Sequence, residues 1–334
     1  MRVWEQEKAF GIENLKLADK PAPQPGKGQI VVGMKAASLN YRDLLTVMGM
    51  GGASLPLIPF SDGAGVVEAV GDGVSGIKAG DKVCPLFFQS WLKGPITAES
   101  RNAALGGSVP GVLQEHMLLA ADGVIPFPDH LSFEEAATLP CAGLTAWRAV
   151  AIEAPVGPGD IILVQGTGGV SIFALQFAKA RGAKVIATSS SDEKLARAKA
   201  LGADFTINYR TTPEWGKEAL KLTGGRGVDV VVEVGGEKTL TQSLTAARVG
   251  GSIVIIGVLS GFTDTIAIPL LFSKNLRLLG ITVGSREQFA GMAASIAQWK
   301  LKPVVDRAFP FAEVPAALEH MKAGAHFGKI CVTY

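Results

Sequence analysis

The order of apolar and polar residues divides this chain into a β-rich first part and a second part in which strands alternate with helices. Up to about Asp122, short apolar runs are separated by Gly and Pro: QIVVGMKAASL (29–39), GAGVVEAVGDGV (63–74), DKVCPLF (81–87) and LQEHMLLA (113–120). Runs of this length and punctuation predict strands joined by turns. The stretch 93–111, KGPITAESRNAALGGSVPG, has neither strand nor helix periodicity, and a mobile surface loop is expected there.

From Ser132 the period lengthens. FEEAATLPCAGLTAWRAVA (133–151) is helical in composition, with Ser132 as cap and Glu134 and Glu135 in the first turn. Strand DIILVQ (160–165) then precedes helix VSIFALQFAKA (170–180), and strand AKVIATS (183–189) precedes helix DEKLARAKALG (192–202). ADFTIN (203–208), GVDVVVEV (227–234), GGSIVIIGV (250–258) and NLRLLGITVG (275–284) read as further strands. Continuous apolar runs bounded by Gly and alternating with helices predict a parallel sheet covered on both faces. The tail carries helix QFAGMAASIAQWK (288–300), helix AEVPAALEHMKAG (312–324) and strand KICVTY (329–334), and is expected to return to the first domain. The expected domains are therefore 1–125 with 287–334, and 126–286.

Composition narrows the function classes. Of 334 residues, 48% are hydrophobic and 19% charged, which suits a soluble, well-cored protein and excludes disorder. A net charge of +2, with no basic run, gives no sign of a nucleic-acid partner. The N-terminus MRVWEQEKAF is charged where a signal peptide is apolar. No stretch approaches the ~18 apolar residues of a spanning helix, so no membrane partner is expected. Cys84, Cys141 and Cys331 are few, distant and odd in number. That argues against a disulfide framework and for a reducing cytoplasm.

The strongest local motif is VQGTGGVS (164–171), which closes a strand and opens a helix. Gly166 and Gly168 hold the first two positions of G-x-G-x-x-G, and Ser171 stands at the third. Gly166 permits a tight turn, Gly168 lets backbone approach a pyrophosphate, and the helix N-terminus presents N–H groups to it. Gly166, Thr167, Gly168, Gly169 and Val170 are thus candidate dinucleotide-binding residues. NAD sites commonly carry an acid at the next strand tip, about 20 residues on. Here the tip is Ser189, followed by Ser190 and Ser191. Hydroxyls donate to a 2′-phosphate that a carboxylate would repel, Lys194 adds a positive charge a turn later, and Tyr209 lies one strand on. These residues predict NADPH, although the serines also suit a helix cap.

Beyond this motif, AASLNYRDLLTVMG (36–49), PLIPFSDGAGVVEAVGDGV (56–74) and LPCAGLTAWRA (139–149) stand in the same order and spacing as in the medium-chain dehydrogenase/reductase superfamily, which the whole chain resembles. SLNYRD and IATSSSDEKLARAKALGAD resemble its quinone-oxidoreductase-like branch. The resemblance implies an α/β fold, with a GroES-like β-rich catalytic domain and a Rossmann-type doubly wound parallel sheet. It implies further cofactor contacts at Thr145, Val234, Gly235, Gly257, Val258, Val283 and Gly284, with Phe327, Gly328 and Lys329 returning over the nicotinamide side. It also suggests a homodimer through the edge strand 275–284.

The departures from the family pattern are informative. Alcohol dehydrogenases of this superfamily hold catalytic zinc with Cys, His and Cys. Here those positions are Asn40, Ser61 and Cys141, and residues 85–140 contain none of the cysteines of a structural-zinc lobe. The four histidines, His116, His130, His320 and His326, have no metal-ligand spacing. One thiol does not hold zinc, which takes about four ligands, so no metal is expected. Without it, Tyr41 is a candidate proton donor or oxyanion stabiliser, and Asn40 a candidate for orienting a carbonyl. Tyr41 equally suits a pocket lining. Arg42 is expected to pair with Asp43 or Asp62 and fill the emptied pocket. Phe87, Phe88, Trp91 and Leu259 are candidate substrate walls, or core. The expected activity is hydride transfer from NADPH to a quinone, enone or other activated carbonyl compound. The alternatives are an enoyl reductase, an alcohol or aldehyde oxidoreductase, and a cofactor-binding sensor or structural protein with little turnover. The segment GMGGASLPL (49–57) lacks the tyrosine of many C=C-reducing members, which counts against the first.

Overall fold

The computed structural model describes all 334 residues, in two compact units: Met1–Leu144 with Val283–Tyr334, and Thr145–Thr282. The tail from Val283 thus belongs with the β-rich part. The first junction falls at Leu144 rather than near 125, because helix Phe133–Ala137 packs on strands Gln29–Ser38 and Asp62–Val70 of the first unit.

In the first unit a seven-stranded sheet is built on Gln29–Ser38, whose apolar run is buried nearly throughout. Asp62–Val70 and His116–Ala120 pair with it antiparallel. The C-terminal strand Lys329–Thr333 also pairs with it, setting Cys331 opposite Ser38 and Val332 opposite Ala37. This register sets Lys329 beside the turn Leu39–Asn40, where Leu39 N donates to Ile330 O. Ile30, Val32, Phe60, Leu113, Leu318 and Ile330 share the core.

Stretch 93–111 lies largely at the surface, as expected, but it carries local structure. Thr97 caps a short helix, Ala98–Arg101, and bridges link Phe88 to Ala104 and Leu105 to Val109. Leu105 is buried in the core. The small and polar residues that hid this structure serve as cap and turn residues within it.

The second unit is a parallel sheet in the order Phe205–Asn208, Lys184–Ser189, Ile161–Gln165, Val228–Glu233, Ala247–Ile255, Arg277–Gly280. Chain order reverses between Ile161–Gln165 and Val228–Glu233, so the switch point of a doubly wound sheet lies at Gln165 and Glu233. Val228–Glu233 is buried at every position, as a strand covered on both faces must be. The last strand is shorter than its sequence suggests, ending at Gly280, and Val283 turns the chain at φ 20 before Ser285 caps helix Arg286–Trp299. No helix is long and apolar enough to cross a membrane.

Candidate functional site

The carboxyl end of the second unit's sheet forms an open cradle. Gly166 turns at φ 68, and a Cβ added to Gly166 or Gly168 would meet no atom within 4 Å. Gly168 begins helix Gly169–Ala180 without a side-chain cap, leaving its first N–H groups for an anion. Ser171 substitutes for the third glycine because its hydroxyl is satisfied: it is buried and donates to Gln165 O at 2.6 Å. These residues fit the pyrophosphate of a dinucleotide.

Beneath the cradle lies a network that the sequence analysis missed. Glu233 is fully buried. Its Oε1 accepts from Gly235 N (2.8 Å), Gly236 N (3.0 Å) and Thr239 Oγ1 (2.7 Å); its Oε2 accepts from Gln165 Nε2 (2.6 Å) and Ser243 Oγ. Gln165 Oε1 accepts from Val234 N and Gly235 N at 3.2 and 3.3 Å. One carboxylate therefore ties the glycine turn to the loop carrying Val234 and Gly235. That loop is tied in turn to Gly257–Gly261: Leu259 N donates to Val234 O, and Gly236 bridges Gly261. A Cβ at Gly257 would lie 2.5 Å from Val234 O, so this approach requires glycine. The acid closing the run VVVE (230–233) was the available signal.

At the neighbouring strand tip Ser189 is buried, and its Oγ accepts from Ser191 N at 3.3 Å. Ser191 caps helix Asp192–Ala200 by accepting from Lys194 N. Tyr209 N donates to Ser189 O, which places the exposed Tyr209 beside the serine tip. The nearest acid, Asp192, accepts from Asn208 Nδ2 at 2.7 Å. The cap reading holds for Ser191, which bonds the Lys194 backbone, and Tyr209 stands beside Ser189. Thr145 is buried in the helical segment Leu144–Trp147. Val283, Gly284, Phe327 and Lys329 fall in the other unit, where Phe327 is core.

In the first unit a buried polar cluster gathers around the end of strand Gln29–Ser38. Asn40 caps helix Tyr41–Val47, and its N donates to Asp43 Oδ2 at 2.8 Å. Its Nδ2 donates to Ser61 Oγ at 3.4 Å, and Ser61 Oγ donates to Asp62 Oδ1 at 2.6 Å. Cys141 N donates to Asp62 Oδ2 at 2.8 Å. Lys329 Nζ donates to Asn40 Oδ1 at 2.6 Å and to Leu39 O. Arg42 pairs with Asp43 (3.0 Å) but not with Asp62. Its guanidinium turns to the carbonyls of Leu105 and Gly106 and lies over the Phe87 ring. Tyr41, on the first helical turn, is 40% exposed and so accessible to a reactant. Phe87, Phe88 and Trp91 pack on one another, with Trp91 Nε1 donating to Gly94 O, so these three are core rather than open walls. Leu259, in the other unit, is exposed.

Burial raises the Asp62 carboxyl from its ordinary 3.8 to about 6, with Asp43 adding to the rise and Lys329, Ser61 and Asn40 opposing it. Burial likewise lifts the Cys141 thiol, and Asp62 adds to it. The folded chain thus holds the Asp62 proton to higher pH than the unfolded chain does. That contribution to stability is fully present below the unfolded value and is lost as pH rises through the folded one. Between about pH 4 and pH 7, wild type should lose about 3 kcal/mol relative to Asp62→Asn. Urea melts of both proteins at each pH measure this, and a pH-independent difference would refute it.

A zinc ion does not fit this donor set. An amide, a hydroxyl and a single thiol occupy the positions at Asn40, Ser61 and Cys141, and an ammonium is bonded to the amide. No three His, Cys, Asp or Glu side chains are gathered as metal ligands.

Known proteins share this architecture. Residues 26–129 match the family model "Alcohol dehydrogenase GroES-like domain", and residues 169–298 match "Zinc-binding dehydrogenase". A Schizosaccharomyces pombe protein named zinc-type alcohol dehydrogenase-like protein C1773.06c is 46% identical over 329 residues, 96% of this chain and 95% of its own length. Human quinone oxidoreductase is 30% identical, over 94% of this chain and 92% of its own. Among solved structures, an NAD-dependent alcohol dehydrogenase superposes with TM-score 0.91 at 38% identity, covering all of both chains. Mycobacterial Rv1454c complexed with NADPH superposes with TM-score 0.84 at 28% identity, again covering all of both chains. With a GroES-like unit, a doubly wound sheet and relatives that match almost its full length, the chain belongs to the medium-chain dehydrogenase/reductase superfamily of alcohol dehydrogenase- and quinone oxidoreductase-like oxidoreductases.

Proposed function

We propose that the protein is an NADPH-dependent oxidoreductase that works without zinc, reducing a quinone, an enone or another activated carbonyl compound. The observation that carries this reading is a dinucleotide cradle in the same chain as a polar cluster whose donors do not suit zinc. The nicotinamide supplies the hydride; the protein supplies orientation and electrostatics. The turn at Gly166–Gly169 and the loop at Val234 and Gly235, held by Glu233, bind the pyrophosphate side. Ser189, Lys194 and Tyr209 receive the 2′-phosphate. Tyr41, accessible on its helix, donates a proton or a hydrogen bond to the substrate oxygen. Asn40, whose amide is engaged by Lys329 and Ser61, positions that helix.

The test is a steady-state screen of quinones, enones and aldehydes with NADPH and NADH, on protein assayed for metal. Turnover with NADPH, unchanged by chelator, is expected. Activity that appears only on adding zinc, or no turnover with any acceptor, overturns the reading; the second result would leave a cofactor-binding protein.

The second unit also suggests its own assembly. In the segment leading to the edge strand Arg277–Gly280, Phe262, Ile268 and Phe272 are each more than half exposed. Such an edge with apolar neighbours is an association hazard unless a second copy covers it, and a homodimer is the reading that does so. Phe272→Lys should weaken it by about 2–3 kcal/mol, roughly 100-fold in Kd. Sedimentation velocity reads this, and an unchanged association state places the interface elsewhere. A cytoplasmic setting suits the three free cysteines.

A further inference from the structure

Lys329 is the residue in the polar cluster whose placement the proposed reaction does not explain. Its side chain is almost wholly buried. Its backbone is fixed: Lys329 N donates to Val304 O at 2.9 Å, and Gly328 before it takes φ 84 so close to Val304 that a Cβ would sit 2.4 Å from that carbonyl oxygen. The ammonium has a built seat, consisting of Leu39 O and Asn40 Oδ1. Because an ammonium only donates, it fixes which end of the Asn40 amide faces it and turns Nδ2 toward Ser61.

The charges around the seat are complementary. Two carboxylates, Asp43 and Asp62, are fully buried there. Arg42 bonds Asp43, which leaves Asp62 without a guanidinium partner. Asp62 is linked to the seat through Ser61, whose hydroxyl accepts from Asn40 Nδ2 and donates to Asp62 Oδ1. A buried carboxylate is costly unless a cation offsets it.

We propose that the Leu39–Asn40 seat is a cation site whose permanent occupant is the Lys329 ammonium, bonded to one of the three positions with which the family's zinc-binding members hold a metal and excluding one. This deepens the metal-free reading, and its tests need no turnover. Truncation by Lys329→Ala removes the equivalent of n-propylammonium and leaves the seat. The variant should melt lower than wild type. n-Propylammonium should restore its melting temperature at about tenfold lower concentration than the neutral n-propanol, as a seat of acceptor oxygens beside buried acids requires. Wild type should show no such selectivity. Equal rescue by both compounds, or none, would make Lys329 mere packing and overturn the assignment while leaving the metal-free reading intact. Should the alanine variant fail to fold, the isosteric neutral Lys329→Met decides: stability equal to wild type overturns the proposal, and a lowered melting temperature supports it. Independently, wild type dialysed against Co²⁺ should retain none. One equivalent with thiolate charge-transfer absorption would defeat both the cation assignment and the metal-free reading.

Discussion

Glu233→Ala will destabilise the protein by about 3–5 kcal/mol and abolish measurable binding of NADPH at concentrations that saturate wild type. The carboxylate accepts from five donors, on Gln165, Gly235, Gly236, Thr239 and Ser243, and of these Gln165, Gly235 and Ser243 are themselves buried beside the fully buried Glu233. Removing an acceptor from such a site costs more than the hydrogen bonds were worth, because each orphaned donor keeps its desolvation penalty. The consequence for function follows from topology. Gln165 ends one strand at the switch point and Glu233 ends the other, and the glycine turn and the Val234–Gly235 loop leave from these two residues. Glu233→Gln keeps the shape but turns a donor toward either the Gly235 and Gly236 amides or the Ser243 hydroxyl, so it should cost about half as much. Denaturant melts and a fluorescence titration with NADPH measure the two effects. An alanine variant within about 1 kcal/mol of wild type, with normal binding, would show the network to be dispensable.

What could be read from the sequence, and what could not, divides along the range of the interactions. The runs 160–165, 227–234 and 250–258 announce buried parallel strands because apolarity on both faces is a local property, and the glycine turn is visible because it needs residues with special backbone freedom at fixed spacing. The doubly wound sheet and the GroES-like unit were legible on these grounds and by resemblance. The polar networks were not. Lys329 and Asn40 are 289 residues apart, and only the register of Cys331 opposite Ser38 brings them together. Gln165 and Glu233 are 68 apart and meet because the chain crosses over between them. Arg42 chose the carbonyls of Leu105 and Gly106 over Asp62 because stretch 93–111 folds inward, and its short capped helix carries too few residues for a period to show. An ionisable residue at the boundary of an apolar run, as Glu233 closes one strand and Lys329 opens another, signals a buried network but not its partner.

Cofactor choice should respond to a single residue. Ser189→Asp is expected to lower the preference for NADPH over NADH, measured as the ratio of the two Kd values, by roughly 100-fold, or about 2–3 kcal/mol. The argument is electrostatic. Ser189 sits at the strand tip with Tyr209 beside it and Lys194 in the following turn, and its Oγ already accepts from Ser191 N, a bond that a carboxylate can keep. The substitution therefore brings in a charge with little change in the backbone turn. That charge repels a 2′-phosphate and accepts from a 2′-hydroxyl, so the two cofactors move in opposite directions. The neighbouring acid does not already have this effect, because Asp192 is turned to Asn208. Lys194→Ala should weaken NADPH by about tenfold and leave NADH unchanged, since only the phosphate carries the charge that the ammonium meets. The likeness to an NAD-dependent alcohol dehydrogenase at 38% identity makes the wild-type titration the decisive measurement. If unmodified protein binds NADH more tightly than NADPH, the serine tip is a helix cap alone, and the assignment of Ser189, Lys194 and Tyr209 to the phosphate falls with it.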